Sequence, residues 1–136
     1  MKQIKSINRY LAIILSLCMI VLSVSVVSAT EISPRYTGMA TIACELDINS
    51  NGYASCSGRS LCYVGYTANV TLELQQKDGS WDTIKSWTGS GRSVPFDKGY
   101  FVASGYDYRV KITSVVYDVN GNYIETVSAT TGVHSY

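Results

Sequence analysis

From Ile42 onward the chain alternates apolar and polar residues with a period of two, and clusters of Gly, Asn, Asp and Ser cut the alternation at near-regular intervals. Ile42, Cys44, Leu46 and Ile48 alternate with Ala43, Glu45 and Asp47; Ala54 and Cys56 follow the Asn49-Ser50-Asn51-Gly52 cluster. Val70, Leu72 and Leu74 alternate with Thr71, Glu73 and Gln75, and Asp78-Gly79 then turns the chain into Trp81 to Trp87. Val94 to Val102 forms another run, Tyr108, Val110 and Ile112 alternate with Arg109 and Lys111, and Asn120-Gly121-Asn122 precedes Tyr123 to Thr130. Successive side chains of a strand point to opposite faces, so each run predicts a strand with one buried face. No helical apolar period lasts longer than a turn. Short strands separated by turns roughly every 8–12 residues predict an all-β fold. The expected architecture is an antiparallel two-sheet sandwich of about seven strands with an immunoglobulin-like path; a small closed β-barrel shares the same cues.

The N-terminal segment breaks this pattern. Lys2, Lys5 and Arg9 precede an uncharged run from Leu11 to Val27, and Val27-Ser28-Ala29 ends it with small residues. A positive start, an apolar run and a small-residue end are the parts of a cleavable, helical secretory signal. Residues 1–29 are expected to be removed, 30–35 to form a lead-in and 36–136 to form one domain. An uncleaved membrane anchor is the alternative, whereas a lipid on Cys18 is disfavoured by the bulky Leu17 before it. Without Lys2, Lys5 and Arg9, eight basic residues face ten acidic ones, a formal charge of −2. That leaves no basic surface of the kind that holds nucleic acid phosphates.

Candidate chemistry is sparse. Asp47-Ile48-Asn49-Ser50-Asn51-Gly52 matches the opening of a calcium loop, but the position of its bidentate carboxylate is Gly58, so a hairpin turn is expected and no metal. His134 lies in the C-terminal tail, where a fraying chain holds no catalytic base rigidly. The carboxylates fall mostly in turns or at outward phases, so no glycosidase pair is expected. Asn69-Val70-Thr71 overlaps a strand and reads as structural. No catalytic residue and no cofactor is expected.

Three cysteines remain after the leader, in an oxidising compartment. A turn at Asn49–Asn51 with Ile48 opposite Gly52 places Cys44 opposite Cys56. Cys62 lies six residues beyond Cys56 on the same run, on the order of 20 Å away, which is past the reach of a disulfide. The expectation is a Cys44–Cys56 bridge with Cys62 free. Three unpaired buried cysteines acting as small apolar residues are the alternative.

The mature chain carries ten Tyr and two Trp, more rings than a small core can cover, and amphipathic rings left outside suit contacts with ligands. Two turns are possible after Lys77. A two-residue Asp78-Gly79 loop places both Trp beside Val70 and Leu74. A three-residue Lys77-Asp78-Gly79 loop with Gly79 in the left-handed position sets Ile84 opposite Leu72 and keeps Lys85 on the outer face. The second buries an aliphatic residue and is preferred. It makes Trp81 and Trp87 a shared, partly exposed platform, the candidate ligand surface.

Tyr108-x-Val110-x-Ile112, after Gly105, resembles the strand that opens with a buried Tyr in fibronectin type III and related sandwiches. Val70-Thr71-Leu72-Glu73-Leu74-Gln75 through Gly79, Trp81 and Ile84 is similar to a hairpin of secreted bacterial immunoglobulin-like domains. Ile32-Ser33-Pro34-Arg35-Tyr36, Ala54-Ser55-Cys56-Ser57-Gly58 and Tyr108-Arg109-Val110 resemble a family of small secreted proteins of Clostridia and other Firmicutes. The resemblance implies a fold and an exported location, and carries no activity to transfer. The resulting expectation is a secreted or cell-surface, non-catalytic binding module whose partner is a cell-wall glycan or a surface protein. The alternatives are a bacteriocin-like or toxin-like effector, which the charge of −2 disfavours, and a small secreted hydrolase.

Overall fold

A computed structural model describes Arg35–Tyr136; the expected signal peptide and all of the lead-in but Arg35 lie outside the described residues. Eight strands follow in chain order: β1 (Met39–Ile48), β2 (Tyr53–Cys62), β3 (Tyr66–Asp78), β4 (Ser80–Gly91), β5 (Ser93–Phe101), β6 (Asp107–Asp118), β7 (Tyr123–Thr130) and β8 (His134–Ser135). They form two separate antiparallel sheets rather than one closed barrel. A three-stranded sheet has the order β1-β2-β5, and a five-stranded sheet has the order β4-β3-β6-β7, with β8 also paired to β6. The alternation read from the sequence decides which face each strand buries. Val70, Leu72 and Leu74 of β3 are buried with Val110 and Ile112 of β6, and Leu46, Cys56 and Phe96 close the core from the other sheet. Each large apolar side chain withdrawn from water in this way contributes about 1.5–3 kcal/mol.

Polar groups inside this core are matched. Ser114 Oγ donates to Ser60 Oγ at 2.9 Å, joining β6 of one sheet to β2 of the other, and Ser60 Oγ contacts Met39 Sδ at 3.7 Å. Tyr108 is fully buried at the start of β6, and its hydroxyl donates to the carbonyl of Ala103 at 2.6 Å. Gln76 Oε1 lies 3.2 Å from the same hydroxyl. An unmade hydrogen bond in such a position costs the desolvation of the orphaned group, so this contact ties the loop before β6 to the core. Gly58 marks a close inter-sheet approach: a Cβ there would sit 2.8 Å from Leu72 Cδ1 and 3.2 Å from Ile112 Cδ1.

The β1–β2 hairpin corrects the expected register. Ile48 pairs with Ala54, not Gly52, because the connection is Ser50-Asn51-Gly52 and not Asn49–Asn51. Gly52 has φ of 79° and so belongs inside the loop, since a three-residue hairpin loop ends on a left-handed residue. Asn49 helps to hold the turn: its Oδ1 accepts from the amides of Asn51 and Tyr53, both at 3.0 Å. The one-residue move of the loop shifts every pair by two, so Cys44 stands opposite Gly58 and Leu46 opposite Cys56.

The C-terminal tail is also tied down rather than frayed. His134 pairs with Tyr108, Ser135 Oγ donates to Asp107 Oδ1 at 2.6 Å, and the Tyr136 amide donates to the carbonyl of Tyr106 at 3.0 Å. At the opposite end of the molecule, Glu125 of β7 accepts the amides of Thr37, Gly38 and Met39 at 3.1, 2.8 and 3.0 Å, which fixes the entry into β1.

Candidate functional site

The β3–β4 hairpin separates the two tryptophans. Its connection is Asp78-Gly79-Ser80, with Gly79 at φ of 76° and Lys77 paired to Trp81. Beyond Thr83 the register shifts: Gln75 pairs with Thr83, but Leu74 pairs with Lys85, so Ile84 is an extra residue in β4. A bulge of this kind puts two residues against one and reverses the phase of everything after it. Trp81, opposite Lys77, therefore lies on the outer face, whereas Trp87, opposite the fully buried Leu72, lies on the inner face and packs against the core. The expected two-Trp platform is not formed. Ile84 does not stand opposite Leu72 although it reaches the core, and Lys85 shares the phase of Leu74 and lies 5.8 Å from the ring of Tyr100 across the gap between sheets.

On the outer face of the five-stranded sheet, Trp81 is instead the base of a polar cluster. The guanidinium carbon of Arg109, from β6, lies 4.2 Å from its ring centroid, and Lys77 Nζ lies 5.9 Å away. Arg109 Nε donates to Gln75 Oε1 at 2.8 Å, and Gln75, only 7% exposed, extends its Nε2 to Thr83 Oγ1 at 3.4 Å. Thr83 Oγ1 in turn donates to Glu73 Oε1 at 2.8 Å. β-Pairing explains the convergence: Arg109 faces Gln75, Gln75 faces Thr83, and Lys77 faces Trp81 across three adjacent strands.

A second aromatic feature occupies the outer face of the three-stranded sheet. Tyr53 pairs with Phe101, and their rings meet edge to face at a centroid distance of 5.1 Å and an angle of 68°. Phe101 remains 69% exposed and Tyr53 39%. The Tyr53 ring crosses Gly99, where an added Cβ would collide with its phenol end. The register brings Ser55 opposite both Asp47 and Gly99, and Asp97 opposite Ser57, so hydroxyl and carboxylate groups flank the rings on the same face. Periodicity in the sequence could not reveal this pair, because Tyr53 and Phe101 become neighbours only when β5 joins β2.

The cysteines do not form the expected bridge. Cys44, Cys56 and Cys62 are all free thiols. With Cys44 opposite Gly58, Cys44 and Cys56 are diagonal neighbours on the inner face, at a typical Cα separation of about 7–8 Å, beyond the usual disulfide range. The Cys44 thiol instead points across to β6, 3.6 Å from the carbonyl of Val110. Burial pushes all three thiols above their ordinary pKa, Cys56 to about 11. Among the described residues, no group of three His, Cys, Asp or Glu side chains converges as a metal site.

No family model, no curated protein and no solved structure matches this chain.

Proposed function

We propose that the protein is an exported, non-catalytic binding module whose chain path is immunoglobulin-like, of the fibronectin type III kind, and whose ligand is a cell-wall glycan. Three features support the path. β1, β2 and β5 correspond to strands A, B and E of such a domain, β3, β4, β6 and β7 correspond to C, C′, F and G, and Tyr108 bonds back to Ala103 as the corner tyrosine of strand F does. The observation that carries the binding reading is Phe101, a largely uncovered ring braced edge-on by Tyr53 on the outer face of its sheet. A sugar offers C–H groups to stack on such a ring and hydroxyls to donate to neighbours such as Asp47 and Asp97. The test is sedimentation of the secreted product with insoluble cell-wall polysaccharide. Retention that is lost on Phe101→Ala supports the reading, as does loss on Gly99→Val, which displaces Tyr53 without touching the core. Equal retention of all three proteins, or no retention of any, overturns it.

A further inference from the structure

The cluster around Trp81 has a chemistry of its own, on the sheet opposite the Tyr53–Phe101 face and independent of the glycan reading. Arg109 is held on two sides. Its guanidinium carbon lies 4.2 Å from the centroid of the Trp81 ring, and its Nε is committed to Gln75 at 2.8 Å. Gln75 is itself 7% exposed and braced by Thr83, so the acceptor that fixes Arg109 has little freedom to move. Among the described residues, the two Nη groups of Arg109 have no hydrogen-bond or salt-bridge partner. A guanidinium is planar, so fixing the Nε–H bond and the position of the central carbon restricts the direction of the Nη fork. Most surface arginines lose side-chain entropy when they bind; this one has already lost it.

We infer that Arg109 is the anchor of an anion-binding site, built to receive two oxygens of one carboxylate or phosphate group end-on at its Nη pair. The occupied Nε excludes the side-on approach that uses Nε and one Nη together. Trp81 supplies a floor beside the bound group. Lys77, over the same ring, and Lys111, two residues along β6 on the same face, add positive charge. On this face the acidic groups are Glu73 and Asp107; Asp78 and Asp82, beside Lys77 and Trp81 in sequence, pair with Ser80 and Gln76 at the opposite strand phase. Glu73 accepts from Thr83 and Asp107 accepts from Ser135, and each stands directly opposite a lysine, Lys111 and Lys77 respectively. On this face three cations against two occupied carboxylates leave a local excess of positive charge. Charge-assisted, two-pronged contacts of this sort are the strong ones, and Lys cannot reproduce their geometry.

The experiment is an NMR titration of the secreted protein with inorganic phosphate and, separately, with acetate, each against sodium chloride at equal ionic strength. The Arg109 Nε–H and Trp81 indole resonances are expected to shift saturably with phosphate or acetate and not with chloride, and the tighter of the two identifies the natural oxyanion. Arg109→Lys keeps the charge and loses the fork, and is expected to weaken binding about tenfold. Arg59→Gln loses a charge on the other sheet, where Arg59 pairs with Ala43 and Pro95, keeps the fork and should retain the affinity. The Trp87 indole, on the inner face, reports that each variant is folded. Equal shifts with chloride, unchanged binding by Arg109→Lys, or an equal loss in Arg59→Gln would each show diffuse screening in place of a site and overturn the inference.

Discussion

Trp81 and Trp87 stand on opposite faces of β4, and the single bulged residue Ile84 is the reason. Six residues along a regular strand would bring two side chains back to the same face. One added residue makes the effective separation odd across the pairing, so one indole packs inward and the other outward. Their contributions to stability should therefore differ. Trp87→Ala opens space against Leu72 and should cost about 2–3 kcal/mol, at the lower edge of the range for large aromatic truncations because Trp87 is half-buried at an edge. Trp81→Ala removes the stacking of Arg109 and Lys77 and should cost about 1 kcal/mol. Urea midpoints of the two variants check this order.

Tyr108→Phe keeps the ring and removes the hydroxyl that the Ala103 carbonyl accepts from. The loss should be about 1–2 kcal/mol, the usual consequence of orphaning one buried partner. Hydrogen exchange should show the added opening in the loop before β6, while the β1–β2 hairpin keeps its protection.

Glu125 makes stability depend on acid pH. Burial pushes its carboxyl up, but the backbone amides of Thr37, Gly38 and Met39 together outweigh that effect and hold it below the ordinary value. A carboxylate with a depressed folded pKa stabilises above its unfolded pKa of about 4.3 and loses that contribution as pH falls through the folded value. Asp118 adds to the same trend, its carboxyl lowered by the Asn122 side chain and by the amides of Asn122, Asn120 and Gly121. Thermal midpoints of the native protein should fall as pH drops below about 4.3, and Glu125→Gln should be less stable at neutral pH with a shallower fall.

All three thiols should be recovered free. Peptide mapping without reductant is expected to find no Cys44–Cys56 peptide. A maleimide should modify the partly buried Cys44 before Cys56 and Cys62, both of which are fully buried. Thiolate is the reactive form, so the elevated pKa of Cys56 slows its labelling further until the protein unfolds.

The strand faces were legible wherever a buried face sets the alternation. Leu72 and Val110, both expected in the core, are fully buried because β3 and β6 are central strands with a neighbour on each side. The edge strand β4 was not legible. Its Ser, Thr, Lys and Asp occupy both faces, so nothing in Ser80 to Gly91 announces an extra residue at Ile84. In the β1–β2 and β3–β4 hairpins the turn lies one residue further along the chain than expected. Gly52, which the alternation assigns to a strand, has a left-handed backbone that belongs to the loop, and Gly79 occupies the middle of its loop rather than the end. Each slip moved a candidate site, first the cysteine pair and then the tryptophan pair. Trp81 was correctly placed on the outer face, but its partners Arg109 and Gln75 are 28 and 6 residues away in sequence, and only pairing through β3 and β6 unites them.

The clamp that Glu125 places on the entry to β1 and the seating of Tyr136 have a mechanical consequence. The chain enters β1 at Met39, whose amide Glu125 accepts from, and Tyr136 is seated at the other pole, its hydroxyl 3.3 Å from the carbonyl of Ser50 in the β1–β2 turn. A pull applied between these two points runs parallel to the strands. The ladders that β1 makes with β2, and that β6 makes with β7 and β8, are then loaded in shear, so many hydrogen bonds carry the force together instead of opening one after another from an end. The same contacts that hold a quiescent domain together thus make it a stiff link under tension.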